Sequence, residues 1–465
     1  MTPSNQPRTR RSFLADTGMG FTGLALGAML FQDGTAQAEE GAIPTGQPHH
    51  EPQAKSVIWI FSSGGVSHIE SFDPKPELNR FTGKRVSETP HAGAVAEKYH
   101  AKSVGNMQIG SKKYGQSGIE VADWWPHIGS CADDLAVVRS LWVDDNCHGA
   151  QLTWHNGRHS REGGIHPTIG AWSSYGLGTL NRKLPQFVVL GGGVSECCGG
   201  EWAHGGGYLG PTYAGVRLNG RTGLPYLSPS APRGQQEREL EVNLLGRLNR
   251  LASVEYPDDA DLQARIRAYE LAFALQSSVP EAMGIERETA ATRQMYGLDN
   301  PKTSNIGGLC LAARRLVERG VRFVQVYLPL GWDAHNDVVG NHGGNAAQCD
   351  QPIGALVKDL KQRGLLDETL VVWGTEFGRA PYNTRGRDHW ADGFSCWLAG
   401  GGIKGGVVHG ETDPFGFAPV TPPHYITDIH ATVLHQMGLD SRRLTIPGRQ
   451  RFDRDFGTPI REIIA

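Results

Sequence analysis

Short apolar runs alternate with polar or glycine-rich loops along much of the chain. Six runs have the form of a buried β-strand followed directly by a loop. They are KSVIWIFSSGG, DLAVVRSL, PQFVVLGGG, VRFVQVYLPLG, TLVVWGTEFG and FSCWLAGGG. In the stretches 305–320 and 348–366, apolar residues recur every three or four positions, which is typical of an amphipathic helix. Strands alternating with helices predict an α/β fold with a mostly parallel central sheet flanked by helices.

The segment at about 236–300 has a different pattern. It is charged and helix-forming, and it contains almost no β-branched runs. We interpret it as a helical insertion in a single main domain that extends from 55 to 465. Charged helix faces are usually solvated, so the insertion is expected to cap or pack on the domain, and direct contact with substrate is the alternative.

The N-terminal residues 1–38 resemble a twin-arginine export signal. Arg10 and Arg11 precede a glycine-, alanine- and leucine-rich segment, and Ala-Gln-Ala at 36–38 has the form of a cleavage site. A membrane helix is the alternative, but the apolar segment is short and glycine-rich for a span. The resemblance implies passage through the twin-arginine machinery to the periplasm or the medium, with no stable membrane span after cleavage. Residues 39–54 are predicted to form a flexible linker.

Charge and cysteine content narrow the range of partners. The 45 Lys and Arg residues nearly balance the 48 Asp and Glu residues, and there is no long basic run, so nucleic acid is not an expected partner. The seven cysteines are an odd number and cannot all pair within one chain. No CxxC pair occurs, which argues against a zinc ribbon or a thioredoxin-like site. For the adjacent Cys197 and Cys198, one half of a long-range disulfide is the simplest expectation.

Four groups of acid/base or metal-capable side chains follow predicted strands. They are Ser67, His68, Glu70 and Asp73; Asp145, Cys147, His148, Thr153 and His155; Asp333, His335, Asp337 and His342; and Glu376, Arg379, Arg387, Asp388 and His389. The carboxyl ends of parallel strands meet at one edge of a sheet, so the four groups are expected to converge on one crevice. Mixed nitrogen and oxygen donors there predict a divalent metal, for which we consider zinc, manganese or calcium. Any single group could instead be structural hydrogen bonds and ion pairs.

Several stretches of the sequence resemble known families. GLLDETLVVWGTEFG is similar in layout to the segment GLLDNTxVxxTSDHG of the sulfatases and the wider alkaline-phosphatase superfamily. Asp333 and His335 resemble the Asp/His ligand pair that those proteins carry upstream. The motifs SSGGVSHIESFDPKP, WDAH, TEFGRAP, GRDHW and LAGGGIKGGVVHGETD together resemble the domain of unknown function 1501, over nearly all of the mature chain. The resemblance implies an alkaline-phosphatase-like fold.

The chain departs from the sulfatase pattern at three places. Gly149 and Gln151 replace the proline and arginine of the Cys-x-Pro-x-Arg motif, so Cys147 is not expected to mature to formylglycine. Serines and glycines follow the first strand where the superfamily has an aspartate. Phe377 replaces a ligand histidine, and His389 in the same loop is expected to supply the imidazole. The predicted metal ligands are therefore Glu70, Asp73, Asp333, His335, Glu376, Asp388 and His389.

The remaining residues of the clusters are assigned catalytic roles. They are Cys147, His148, Thr153, Arg379 and Arg387. Arg379 and Arg387 are predicted to clamp a tetrahedral anion, because the guanidinium fork matches its oxygens. The alternative is that both arginines form ion pairs, with Glu376 and Asp388, that brace the loop. Cys147 precedes a predicted helix start and could attack as a thiolate; a buried small side chain or a disulfide half is the alternative.

These features favour an exported metal-dependent hydrolase of phosphate or sulfate esters, acting on a small-molecule or polysaccharide ester. The alternative is a non-catalytic periplasmic binding or assembly protein on the same scaffold, because a fold does not fix a function. The retained His, Asp and Glu residues favour the hydrolase, and the degraded cysteine motif favours the binding protein. His409 and His424 are not assigned as metal ligands, and His430 is expected to be a packed core residue.

Overall fold

The computed structural model describes residues 46–159, 166–194, 198–218, 281–382, 384–446, 449 and 451–465. The predicted signal at 1–38 and most of the predicted insertion, 236–280, lie outside these residues. Within the predicted linker, the backbone amides of His49, Gln53 and Ala54 donate to the carbonyls of Gly438 and Gln436. The described part of that segment is therefore attached to the main domain.

The described strands and helices are numbered separately, each in chain order. The strands are β1 (Ser56–Phe61), β2 (Ser111–Tyr114), β3 (Ile119–Ala122), β4 (Leu135–Trp142), β5 (Phe187–Gly191), β6 (Val216–Leu218), β7 (Phe323–Tyr327), β8 (Thr369–Gly374), β9 (Gly378–Arg379), β10 (His389–Trp390), β11 (Phe394–Ala399), β12 (Val407–His409), β13 (Glu411–Thr412), β14 (Pro419–Thr421) and β15 (His424–Tyr425). The helices are α1 (Glu77–Phe81), α2 (Pro126–Gly129), α3 (Ala150–Asn156), α4 (Ile169–Leu177), α5 (Ala290–Met295), α6 (Ser304–Glu318), α7 (Val338–Gln362), α8 (Ile426–Gln436) and α9 (Asp453–Phe456).

One large sheet organises the described residues. Its strand order is β12-β4-β11-β8-β1-β7-β5-β6, and β15 also pairs with β4. All six apolar runs of the sequence pattern are strands of this sheet. Strand β1 pairs in parallel with both β7 and β8, and β5 pairs in parallel with β7 and β6. The prediction of an α/β fold with a mostly parallel central sheet is confirmed.

Strand β11 is the exception to the parallel arrangement. It pairs antiparallel with both β4 and β8. A parallel neighbour of β8 would need a connection, usually a helix, that crosses back over the sheet. No helix lies between β8 and β11 in the described residues, and β11 runs in the opposite direction. As a consequence the glycine loop after β11 lies at the opposite sheet edge from the loops after β4 and β8.

Helices cover both faces of the sheet. Along β1, Val57, Trp59 and Phe61 pack in one core cluster, and Ile58 and Ile60 pack in the other. The first cluster is closed by α3, α4 and α8, and the second by α6 and α7. A central strand that is buried on both faces explains why β1 is a continuous apolar run.

Helix α7 is longer than the pattern at 348–366 indicates. It begins at Val338, where the Asp337 side chain accepts a hydrogen bond from the Gly340 amide at 2.9 Å and caps the helix. His342 therefore lies inside a helix and not in a loop. Its ring is buried, and its Nε2 accepts a hydrogen bond from the Ser67 amide at 3.0 Å.

None of the helices in the part of the chain that the structure describes is both long and apolar enough to cross a bilayer.

Candidate metal centre

The loops that follow β1, β4, β7 and β8 lie at the same edge of the sheet, because these strands run in one direction. The loop after β4 carries His148, and the loop after β7 carries Asp333 and His335. The loop after β8 folds back as a two-stranded ribbon in which His389 of β10 pairs with Arg379 of β9. This ribbon returns His389 to the sheet edge.

Side chains from three of these loops converge on the carboxylate of Asp333. The Nε2 atom of His148 lies 3.3 Å from Asp333 Oδ2. The Nε2 atoms of His335 and His389 each lie 3.1 Å from Asp333 Oδ1. One possible ligand atom from each of His148, Asp333 and His389 lies within 4.8 Å of the other two. We refer to His148, Asp333, His335 and His389 as the metal-site cluster.

Carboxylates hold the outer nitrogens of two cluster histidines. His148 Nδ1 lies 3.1 Å from Glu376 Oε1, and His335 Nδ1 lies 3.0 Å from Asp388 Oδ1. Asp333 faces the Nε2 atoms of the same rings, so the contacts alone do not fix the tautomer; in the tautomer that a metal ligand needs, Nδ1 donates its proton to the outer carboxylate. The Nε2 lone pair of both rings then points towards Asp333. Glu376 and Asp388, predicted as metal ligands, thus lie behind the histidines.

The other two members of the cluster are also held from outside. His389 Nδ1 donates to the backbone carbonyl of Asn146 at 3.0 Å. Arg379 Nη2 donates to Asp333 Oδ1 at 2.6 Å. The sequence could not show that the Asn146 carbonyl holds His389, because every residue type has a backbone carbonyl.

The surroundings of the cluster residues shift their pKa values in different directions. The hydrogen bond to Glu376 raises the pKa of His148 against the opposing effect of burial, and Asp333 adds to the rise. Burial lowers the pKa of His389, helped by the charge of Arg379. Desolvation alone would raise the pKa of Asp333, but the hydrogen bond and charge of Arg379 outweigh it and hold that pKa well below its usual range.

Glu376 forms the buried base of the site. Its Oε1 accepts a hydrogen bond from the Gly64 amide at 2.7 Å, and its side chain is fully buried. Gly64 has φ of +112°, and a Cβ atom there would lie 2.6 Å from the Trp332 amide nitrogen. The loop after β1 can therefore approach Glu376 only because glycine occupies this position.

Arg379 does not present its guanidinium to the cleft as an anion clamp. It is fully buried and donates to the carbonyls of Gly64, Gly65 and Arg387 as well as to Asp333. Its role in the fold is to join the loops after β1, β7 and β8. Arg379 therefore braces the loops, as the alternative to an anion clamp expected. Its carboxylate partner is Asp333 and not Glu376.

Arg387, Glu70 and Asp73 lie away from the metal-site cluster. Arg387 is fully buried and binds Glu70 through two hydrogen bonds of 2.9 and 2.7 Å. Asp73 is also fully buried, with Lys75 at 2.9 Å and a hydrogen bond from Thr412. The two carboxylates that the sequence offers after the first strand are thus committed to buried ion pairs.

Cys147 and Thr153 differ in their access to solvent. Cys147 is an exposed thiol next to His148, and its amide donates to Asp145 Oδ1 at 2.9 Å. Thr153 lies inside α3, is fully buried, and donates to the carbonyl of Arg158 at 3.1 Å. Of these two predicted nucleophiles, the structure leaves Cys147 accessible.

The sequence matches the family described as protein of unknown function (DUF1501) over residues 54–464. The chain belongs to this family. No curated protein is significantly similar to it in sequence.

Solved structures similar to this DUF1501 protein include sulfatases and phosphatases. The PsFucS1 sulfatase from Pseudoalteromonas sp. has 12% identity and a TM-score of 0.39, with 99% of this chain and 76% of that chain covered. The phosphonate monoester hydrolase SpPMH from Silicibacter pomeroyi has 10% identity and a TM-score of 0.39, covering 87% and 76%. The alkaline phosphatase from the Antarctic bacterium TAB5 has 11% identity and a TM-score of 0.30, covering 83% and 98%. Likeness at this level does not identify a reaction.

Proposed function

We propose that this DUF1501 protein is an exported, metal-dependent hydrolase of phosphate or sulfate esters. The observation that carries the proposal is the metal-site cluster, in which three imidazoles point their Nε2 atoms at one carboxylate. Glu376, Asp388 and the Asn146 carbonyl accept from the Nδ1 atoms of these rings. Histidines that bind a metal usually donate their other ring N–H to an acceptor of this kind.

The donor set fits a divalent transition metal. With Nδ1 protonated on each ring, three nitrogen lone pairs face the Asp333 carboxylate, and only a cation or added protons can relieve that concentration of negative potential. The Nε2 atoms of His335 and His389 and the Oδ1 atom of Asp333 lie 3.1 Å from one another, close to the edge of about 3.3 Å expected for a tetrahedral ion bound at about 2.0–2.1 Å. Three imidazoles and one carboxylate favour zinc or manganese over calcium, which prefers oxygen ligands.

The site is open on one side and closed on the other. The side chains of Asp333, His335 and Asp388 are 41%, 44% and 49% exposed, whereas Glu376 and Arg379 are fully buried. A substrate can therefore reach the cluster from solvent, while the buried side keeps His148 and Asp333 in fixed orientations. A bound divalent metal would supply Lewis-acid stabilisation of the charge that develops on the ester oxygens.

The burial of Arg379 and Arg387 favours the second candidate, a non-catalytic binding protein. Both guanidiniums are consumed by hydrogen bonds within the protein, so neither of the two predicted clamps is available to a transferring phosphoryl or sulfuryl group. A hydrolase at this site would rely on the metal, and not on these two arginines, for charge stabilisation.

Turnover measurements separate the two candidates. Mature protein is assayed with p-nitrophenyl phosphate and p-nitrophenyl sulfate as purified, after removal of metal with a chelator, and after addition of zinc or manganese. The hydrolase proposal expects turnover that chelation abolishes, that metal restores, and that His335→Ala removes. His91→Ala is the matched control, since its imidazole contacts Glu77 outside the cluster. Protein that binds metal stoichiometrically but cleaves neither ester would support the binding role.

Export remains part of the proposal and rests on Arg10, Arg11 and the segment that follows them. Replacing both arginines with lysine should leave full-length protein in the cytoplasm with residues 1–38 attached. Unchanged export of that variant would remove the argument for a periplasmic or secreted location.

A further inference from the structure

A cavity of about 320 Å³ adjoins the metal-site cluster. It is lined by Trp142, Val143, Asp144, Asn146, Trp390, Ala391 and Asp392. Asn146 belongs to both places, because its carbonyl holds His389 of the cluster at 3.0 Å. A ligand in the cavity would therefore lie beside the metal-site cluster. The volume falls within the range of about 300–1,000 Å³ that is usual for small-molecule sites.

Two tryptophans form the apolar part of the lining. Trp142 is 38% exposed, and its ring is held by Tyr425, whose ring centroid lies 5.0 Å away. Trp390 is almost buried, and its indole N–H donates to the Phe417 carbonyl at 2.6 Å. Both rings are therefore fixed before any ligand arrives, which lowers the entropic cost of binding.

The two carboxylates of the lining are already paired. Asp144 accepts from the Tyr425 hydroxyl at 2.9 Å, and Arg454 lies 3.2 Å from its other oxygen. Asp392 lies 3.0 Å from Lys98 and accepts from the Tyr99 hydroxyl. The paired charges disfavour a strongly cationic ligand.

The paired carboxylates still have acceptor capacity. An ionised carboxylate has about four lone-pair sites, and these contacts leave some of them unused. The side chains of Asp144 and Asp392 are 30% and 40% exposed. The cavity thus presents oriented acceptors beside a fixed aromatic face.

We propose that this cavity binds one neutral sugar ring of a carbohydrate substrate. A sugar offers hydroxyl donors to the paired carboxylates and an apolar C–H face to Trp142, the combination that the lining presents. An ester group on the same sugar or its neighbour would then lie towards His389 and the cluster. The role as a substrate subsite rests on the proposed hydrolase function, whereas binding of the sugar itself does not.

Oligosaccharide binding tests the inference. The probe is an array of gluco-, galacto-, manno- and fuco-configured oligosaccharides, each present with and without sulfate or phosphate groups, and every hit is followed by calorimetry. Wild-type protein should bind at least one neutral chain, and Trp142→Ala should weaken that binding by about tenfold or more, since the stacked face is lost. Trp142→Phe should retain most of it. Trp202→Ala is the matched control, because Trp202 is 50% exposed and does not line the cavity.

The arms of the experiment distinguish failure of this inference from failure of the proposed function. His335→Ala and chelated wild-type protein should still bind the neutral oligosaccharide, because the cavity does not include the metal ligands. Binding that depends on Trp142 in a protein without esterase activity would overturn the hydrolase proposal and support the sugar site. Absence of oligosaccharide binding by wild-type protein, or equal binding by a folded Trp142→Ala variant, would overturn the sugar site.

Discussion

The Nε2 atoms of His335 and His389 lie 3.1 Å apart, although α7, β8 and β9 lie between the two residues along the chain. When both rings are neutral and donate Nδ1–H to Asp388 and to the Asn146 carbonyl, two lone pairs face one another. Such an approach is unfavourable unless a cation or a proton lies between the rings. A metal at the proposed site would supply that cation.

We expect purified protein to bind one zinc or manganese ion per chain. Loss of a residue that only orients a metal ligand usually weakens metal binding by about 10–100-fold. His335→Ala and His389→Ala remove the ligands themselves, so each should weaken metal binding at least as much. Calorimetric titration of metal-stripped protein measures the affinity and the stoichiometry. His91→Ala should bind as wild type does, and wild-type affinity in both cluster variants would contradict the metal site.

Glu376→Gln should weaken metal binding by about 10–100-fold while the protein stays folded. The amide oxygen can still accept from the Gly64 amide and His148 Nδ1, which both contact Oε1, so the substitution removes mainly the charge. Because Glu376 is the largest cause of the raised pKa of His148, that pKa should fall in the variant. Histidine titration by NMR measures the fall. An unchanged His148 pKa together with unchanged metal affinity would show that Glu376 only supports the loop.

Cys147 should react with iodoacetamide faster than Cys131, Cys310, Cys349 and Cys396. Its thiol is exposed, whereas these four are buried and burial raises their pKa, to about 12 for Cys310. Peptide mapping by mass spectrometry gives the order of labelling, and bound metal should slow the reaction of Cys147 if it faces the cluster.

The same thiol should be unmodified in protein from the native host. Conversion to formylglycine would lower the mass by about 18 Da, and we expect no such change because Gly149 and Gln151 replace the residues of the maturation motif. A peptide that carries the lighter residue at Cys147 would refute this expectation. Full esterase activity in Cys147→Ala would exclude the cysteine as a nucleophile.

Arg387→Met should lower the free energy of unfolding by about 3–5 kcal/mol, because it leaves the buried carboxylate of Glu70 without its partner. Urea denaturation measures the change. Arg80→Met is the matched control: its ion pair with Glu77 is exposed, and the cost should be about 1 kcal/mol or less. Combining Arg387→Met with Glu70→Gln should recover much of the loss. A small effect of Arg387→Met alone would contradict a structural role for the pair.

Stability should decrease as the pH falls below about 6.5. Burial, with the charge of Arg451, lowers the pKa of His430 to about 4, so this ring is neutral in the native state and takes up a proton on unfolding. Between pH 6.5 and 4 such a group reduces the free energy of unfolding by up to about 1.4 kcal/mol per pH unit. His430→Gln can still donate to the Trp154 carbonyl that His430 Nε2 contacts at 2.8 Å, and its stability curve should be flatter in this range. Above pH 7 the two curves should run parallel, and identical slopes at low pH would rule out this effect.

The strand pattern of the sequence determined the fold class and the edge at which the chemistry lies. Each apolar run is a local signal of period and length, and the residues that follow β7 and β8 in the sequence have to follow them in space. Asp333, His335 and His389 were therefore identifiable as neighbours once a parallel sheet was predicted. His430 could likewise be assigned to the core, and the structure buries it against Trp59 and Trp154.

Only the tertiary structure decided which charges pair and which face the cleft. Arg387 and Glu70 are 317 positions apart, and Arg379 and Gly64 are 315 apart, so their contacts depend on where two loops cross. Composition cannot tell an anion clamp from a buried brace, because the same guanidinium fork serves both. The direction of β11 was also undetermined by the sequence, because an apolar run does not show in which direction its strand runs. That direction was set by the return of the chain through the β9–β10 ribbon.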